Sequence, residues 1–149
     1  MSPKRNDKIH IFLDANIVVR FLTRDDEQKA EDVKQLFLLL EAGKISAETD
    51  AIVVAEIIWV LTSFYKLDRS VIGEYISLFL ATNHLIVKEK PLIQKAVELY
   101  KNVNADYIDC FVVAVAGKRK VAVCSYDRDF NKFEGIERVE PKDILKRCQ

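Results

Sequence analysis

Four stretches of the sequence put carboxylates where a folding chain has little use for them. "KIHIFLDANIVVRFL" closes an apolar run at Asp14 and sets Asn16 just beyond, before apolar residues resume. "AIVVAEIIWVL" holds Glu56 as its one polar residue between Ala51 and Leu61. "NADYIDCFVVAVA" carries Asp106 and Asp109, and "VCSYDRDF" follows an apolar run with Asp127 and Asp129. Each has an ordinary explanation. Asp14 suits a helix cap, Asp106 and Asp109 a helix-start box, Asp127 and Asp129 a turn, and Glu56 a glutamate that snorkels or hydrogen-bonds at a helix edge. Together they offer carboxylates from two strand ends and two helices. Carboxylates about 5 Å apart repel by roughly 3 kcal/mol per pair at an effective dielectric of 20, so such a cluster requires cations. Oxygen-only ligands suit Mg²⁺ or Mn²⁺, ions that activate water, neutralise a phosphodiester and steady a leaving oxygen.

The elements that must position these groups follow from periodicity. Short apolar runs at Ile9–Leu13, Ile45–Ala47, Leu85–Val87, Val121–Ser125 and Arg138–Val139 read as strands. Helical spacing covers Asn16–Thr23, Asp26–Ala42, Thr49–Tyr65, Arg69–Ala81, Pro91–Tyr100 and Pro141–Lys146. The second of these aligns Ala30, Val33, Phe37 and Leu40 and meets a stop at Gly43. The fourth places Val71, Tyr75, Leu78 and Phe79 on a face, with Asp68 as its cap. Strands alternating with helices imply crossover connections and a parallel sheet with helices on both sides. Ligands of such sheets gather at the carboxyl ends of the strands, where Asp14 stands. The run holding Glu56 is apolar all round and reads as a buried helix, in which an unpaired carboxylate costs several kcal/mol. Lys44 and Lys66 are too far along it to pair. "CFVVAVAGKRKVAVCSY" stays ambiguous between a hairpin turning at Gly117–Lys120 and a helix, Tyr107–Lys118, followed by a strand.

Composition sets the outer bounds. With 149 residues, 50% of them hydrophobic, and neither a repeat nor a linker, the chain is expected to form one domain, 1–149. It contains no long apolar span. Its basic start, "MSPKRNDK", precedes only a short apolar run, so a cytoplasmic protein is expected. The net charge of +0 does not announce a nucleic-acid binder, but central acids can cancel a basic rim. Arg20, Arg24, Lys118, Arg119, Lys120 and Arg128 are candidates for such a rim, against the plain alternative of a solvated surface. Cys110, Cys124 and Cys148 form no C-x-x-C and read as isolated thiols. His10 and His84 read as strand residues rather than catalysts.

In their order and setting these four blocks resemble a PIN-domain ribonuclease, and more narrowly a VapC-like toxin of a toxin–antitoxin pair. The family's strand into D-x-N matches "IFLDANIVVRFL", its helical glutamate matches "VVAEIIWVL", its D-[FY]-x-D helix entry matches "DYIDCFVVAVA", and its [TS]-x-D-x-D-F matches "SYDRDF". The resemblance covers nearly the whole chain and implies a three-layer α/β/α fold with a central parallel sheet of four to five strands. It favours the helix-then-strand reading of the ambiguous segment. It implies Mg²⁺- or Mn²⁺-dependent cleavage of RNA, with Asp14, Glu56 and Asp109 on one ion. Asp127, with or without Asp129, would serve a second ion or its waters. Asn16, Ser125 and Asp106 become supporting residues. A homodimer is implied, and an antitoxin whose C-terminal segment occupies the acidic groove. Cys110 stands where the family often has alanine, a small-for-small exchange that touches packing only. The rivals are a module of this fold that binds RNA or protein without cutting, and a nuclease acting on DNA. A haloacid-dehalogenase-type phosphatase would need a second Asp where Asn16 stands.

Overall fold

Parallel pairing governs every strand of the computed structural model, which describes residues 8–149. The opening seven residues, read above for a leader, lie outside the described residues. The chain divides into two compact units, Met1–Lys90 and Pro91–Gln149.

In the first unit β1 (His10–Phe12), β2 (Ser46–Thr49) and β3 (Leu85–Val87) pair in the order β1-β2-β3. The register sets Ile11 beside Ala47 and Ala47 beside Leu85. Alternation along each strand buries Ala47 and Leu85 and leaves Phe12, Glu48 and Ile86 on the exposed face. Parallel strands cannot be joined by tight turns, so helices carry the crossovers. They are α1 (Ala15–Thr23), α2 (Glu27–Glu41), α3 (Ala51–Ser63) and α4 (Arg69–Leu80).

β2 runs further than its sequence pattern implied, and α3 starts correspondingly later. Thr49, expected in the helix, is a buried strand residue whose Oγ1 donates to the Leu13 carbonyl at 3.2 Å. Asp50 then caps α3, its Oδ1 accepting from the amides of Ile52 at 3.1 Å and Val53 at 3.2 Å. α2 buries Ala30, Val33 and Leu40 as expected, and its half-buried Phe37 ring lies 5.6 Å from Phe21 and 6.4 Å from Phe79. α4 packs with a different face from the one expected. It buries Ile72, Ile76, Phe79 and Leu80, while Leu78 is 69% exposed. Apolar residues nearly encircle this helix, so the sequence offers two plausible stripes and packing selects one. Asp68 occupies the cap position of α4 without a side-chain cap bond.

Strand β1 contains His10, as expected, and its ring contacts Ser46 Oγ at 2.7 Å and Glu48 Oε2 at 2.5 Å. His84 is not a strand residue. It precedes β3 in a left-handed conformation (φ +60°), with Nδ1 2.9 Å from the Leu40 carbonyl. That ring fills the space beside Gly43, where φ is +70°.

The second unit holds α5 (Lys90–Asn102), α6 (Tyr107–Arg119), β4 (Val123–Cys124), a 3-10 turn over Arg128–Lys132, β5 (Arg138–Val139) and α7 (Pro141–Arg147). The ambiguous segment is a helix followed by a strand. Tyr107, Cys110, Val113 and Ala114 recur at helical spacing and are buried, and Lys120 closes α6 in the left-handed region at φ +56°. β4 and β5 form a parallel two-stranded ladder. The five expected strands are all present, as one ladder of three and one of two. Among the described residues no helix is long and apolar enough to cross a membrane.

Gly43 is fixed by both its φ and its neighbour. A Cβ there would lie 3.0 Å from His84 Cε1. Gly43→Ala is therefore expected to cost about 1–2 kcal/mol from the left-handed backbone alone, lowering the melting temperature by roughly 2–8 °C. Thermal denaturation of the two proteins checks this.

Candidate functional site

Carboxylates converge where β4 ends. One oxygen from each of Asp109, Asp127 and Asp129 lies within 4.8 Å of the others. Asp109 stands in the first turn of α6. Asp127 and Asp129 come from the loop and 3-10 turn that follow β4. Local hydrogen bonds shape this loop. The Asp127 amide donates to Ser125 Oγ at 3.0 Å, and the Asp127 carboxylate accepts from the Asp129 amide at 2.8 Å. The Ser125 hydroxyl thus holds the backbone of Asp127.

The electrostatics match the geometry. Burial pushes the Asp109 carboxyl above the usual carboxylate range, and the neighbouring charges of Asp127, Asp106 and Asp129 push it further. The Lys132 ammonium opposes this. Lys132 reaches Asp129 at 3.1 Å and donates to the Asn104 carbonyl at 2.9 Å. Asp106, weighed as a capping residue, occupies the cap position of α6 but makes no side-chain cap bond. Its carboxylate therefore adds charge beside Asp109 instead of satisfying an amide.

Two further residues shape this region. Lys132 sits on the same turn as Asp129, a spacing visible in the sequence. Arg138 donates through Nη1 to the Ser125 carbonyl and through Nε to Asn131 Oδ1, both at 3.0 Å. Those contacts join β5 to the acidic loop, and no local sequence signal announces them.

In the first unit Asp14 stands at the end of β1, exposed, as its position after an apolar run implied. It is also the N-cap of α1, with Oδ1 accepting from the Ala15 amide at 2.8 Å. Asn16 follows, exposed on the first turn of α1. Glu56 corrects the expectation of a buried carboxylate. α3 buries Val53, Val54, Ile57, Ile58 and Leu61, and its opposite stripe carries Ile52, Glu56 and Trp59 in solvent. An all-apolar run reads as buried on every side, but packing covers one face only. Glu56 accordingly carries no burial cost and is open to a ligand.

The basic candidates differ in their surroundings. Arg20 is half-buried on α1. Arg24 is exposed and paired with Glu27 at 3.1 Å. Lys118 and Arg119 are exposed in the last turn of α6, Lys120 is its exposed cap, and Arg128 is exposed at the start of the 3-10 turn.

Oxygen ligands at this spacing have the donor chemistry of a Mg²⁺ or Mn²⁺ site. Parallel strands alternating with helices, and carboxylates gathered at a strand end, define a parallel α/β protein with an acidic site. More narrowly, the chain belongs to the PIN domain family, whose model matches residues 11–136. It is 29% identical over 130 residues to a VapC ribonuclease of Aquifex aeolicus (strain VF5), an alignment spanning 87% of this chain and 95% of that protein. A solved structure, VapBC2 from Rickettsia felis bound to a DNA fragment from its promoter, superposes with a TM-score of 0.35 at 13% identity, covering 89% of this chain and 98% of that one.

Two outcomes test the site. Because the folded-state pKa of Asp109 is raised, the folded state binds more protons than the unfolded one between the ordinary and the raised value. Stability therefore falls as pH climbs through that window, and at neutral pH the cost of the ionised Asp109 carboxylate, from burial first and its acidic neighbours second, is fully present. Asp109→Asn is expected to raise the melting temperature by roughly 1–3 °C in chelator-treated buffer at neutral pH, and to respond less than the parent to added Mn²⁺. At Asp14, Asn keeps the capping oxygen and Ala does not. Asp14→Asn should melt like the parent in metal-free buffer, whereas Asp14→Ala should lose about 1 kcal/mol, as read by denaturant titration.

Proposed function

We propose that this chain is a divalent-metal-dependent endoribonuclease and the toxin of a type II toxin–antitoxin pair, acting in the cytoplasm as a single PIN domain. The observation that carries this reading is the cluster of Asp109, Asp127 and Asp129 within 4.8 Å, in a chain that matches the PIN family over 11–136. Its similarity to a VapC ribonuclease supports RNA as the substrate and a cognate antitoxin as the partner. A homodimer fits the same reading.

In this proposal Asp14, Glu56, Asp109 and Asp127 hold Mg²⁺ or Mn²⁺, with Asp129 contributing to the same set. The bound ion supplies Lewis acidity towards a phosphodiester and acidity to water at neutral pH. The chain's own residues do the positioning. Ser125 fixes the backbone that presents Asp127, and the Asp129 amide orients the Asp127 carboxylate. Asn16 orients Asp14 or the water that attacks. Lys132 draws Asp129 towards the loop before α6. Arg20, Arg24, Lys118, Arg119, Lys120 and Arg128 hold the RNA backbone without reading its sequence.

Cleavage of labelled single-stranded RNA, titrated with Mn²⁺ and Mg²⁺ against a DNA control of the same sequence, tests the proposal. The parent should cut RNA, a chelator should stop it, and Asp127→Asn should lower the rate by at least about 100-fold. Ser125→Ala, which loosens the support of Asp127, should cost roughly 10–100-fold. RNA that is bound but never cut, or cutting that persists in chelator, would overturn this reading.

A further inference from the structure

Helices α1 and α3 leave a cleft between them that the acids do not fill. It holds about 270 Å³ and is lined by Asn16, Val19 and Arg20 from one helix and by Val60, Phe64 and Tyr65 from the other and its end. The two helices run in the same direction. They leave adjacent strands whose ends are joined by the Thr49–Leu13 hydrogen bond, and beyond their far ends the Tyr65 hydroxyl donates to Asp25. Asp14, Asn16 and Glu56 therefore mark the near end of the cleft, and Arg20 and Phe64 the far end. Asn16 and Arg20 are one turn apart on α1, about 6 Å along its axis; Glu56, Val60 and Phe64 form a single ridge of α3 spanning about 12 Å.

Two side chains at the far end lack a structural occupation. Arg20 is half-buried at the cleft wall, and its guanidinium makes no hydrogen bond or ion pair with any described residue; one turn on, Arg24 is paired with Glu27. Phe64 is 76% exposed, so its ring contributes little to the core. Its position is set nonetheless. The Tyr65 ring packs against it near edge-on at 5.2 Å, and Tyr65 is itself held by Asp25. A free guanidinium beside an open, buttressed aromatic face offers what one nucleotide requires: a cation for its phosphate and a surface on which its base stacks.

We propose that this cleft is a nucleotide subsite for single-stranded RNA, in which Arg20 binds the phosphate and Phe64 stacks the base of a residue flanking the cut. The assignment rests on the ribonuclease reading and deepens it. It requires an unpaired strand, because the bases of a duplex are stacked on one another and present no free face. It tolerates any base, because every base has a stacking face.

The experiment uses the full chain and a fluorescein-labelled single-stranded RNA of mixed sequence. Binding is followed by anisotropy in chelator over a range of salt concentrations, and cleavage is measured separately in Mn²⁺. Phe64→Ala should weaken binding roughly 5–100-fold, and Phe64→Trp should retain it. Phe64→Leu keeps an apolar side chain without the stacking face and should bind as weakly as the alanine variant, with a melting temperature like the parent's. Arg20→Ala should lower the slope of log affinity against log salt by about 0.7, the loss of one phosphate contact on a single strand. If the parent cuts RNA and all four variants bind it as the parent does, the subsite is overturned and the ribonuclease reading stands. If the parent neither binds nor cuts RNA, the ribonuclease reading itself is overturned and the subsite goes with it.

Discussion

Mutual repulsion among Asp109, Asp127 and Asp129 is the constraint around which the second unit is arranged. Like charges this close separate unless something holds them. Here the holding is done by backbone geometry. The first turn of α6 presents Asp109 where the helix dipole favours negative charge. Ser125 and the Asp129 amide pin Asp127, and Arg138 ties the Ser125 carbonyl to β5. Lys132 adds a positive charge, shared between Asp129 and a carbonyl before α6. Short strands suffice for this work, because the ladder of β4 and β5 only has to anchor the two ends of one loop.

The first unit uses a single device twice, with different results. β1 and β2 each end in an aspartate that caps the next helix. At Asp50 one oxygen accepts from two successive amides, and the side chain is half-buried. At Asp14 one oxygen accepts from a single amide close by, and the side chain remains exposed. A capping aspartate and a ligand are therefore not exclusive descriptions. Chain geometry at a parallel strand end supplies both, and exposure separates the two aspartates: Asp14 is exposed, whereas Asp50 is half-buried.

Much of this was legible in the sequence because the informative signals are local. The strand-to-aspartate transition at Asp14, the helix entry at Asp106 to Asp109 and the spacing of Asp127 and Asp129 each depend on a few adjacent residues. What was not legible depends on neighbours distant in the chain. α4 has apolar residues on more than one face, so only the packed structure selects Ile72 and Ile76 over Val71 and Leu78. The run around Glu56 reads as buried throughout, yet the fold covers one side of it. Arg138 gains its part by pairing β5 with β4, a register no nearby motif encodes. The helix-or-hairpin ambiguity of Tyr107–Lys120 had a similar origin, since an apolar run satisfies both patterns until its partners are known.

Trp59 is the chain's one tryptophan and shares the solvent-facing stripe of α3 with Glu56, one helical turn away. An indole with 67% of its surface in water emits at long wavelength and shifts when anything covers it. The protein thus carries its own optical reporter beside Glu56 on α3. Any macromolecule that settles over that surface declares itself by a change in colour of the emitted light, without a label on either party.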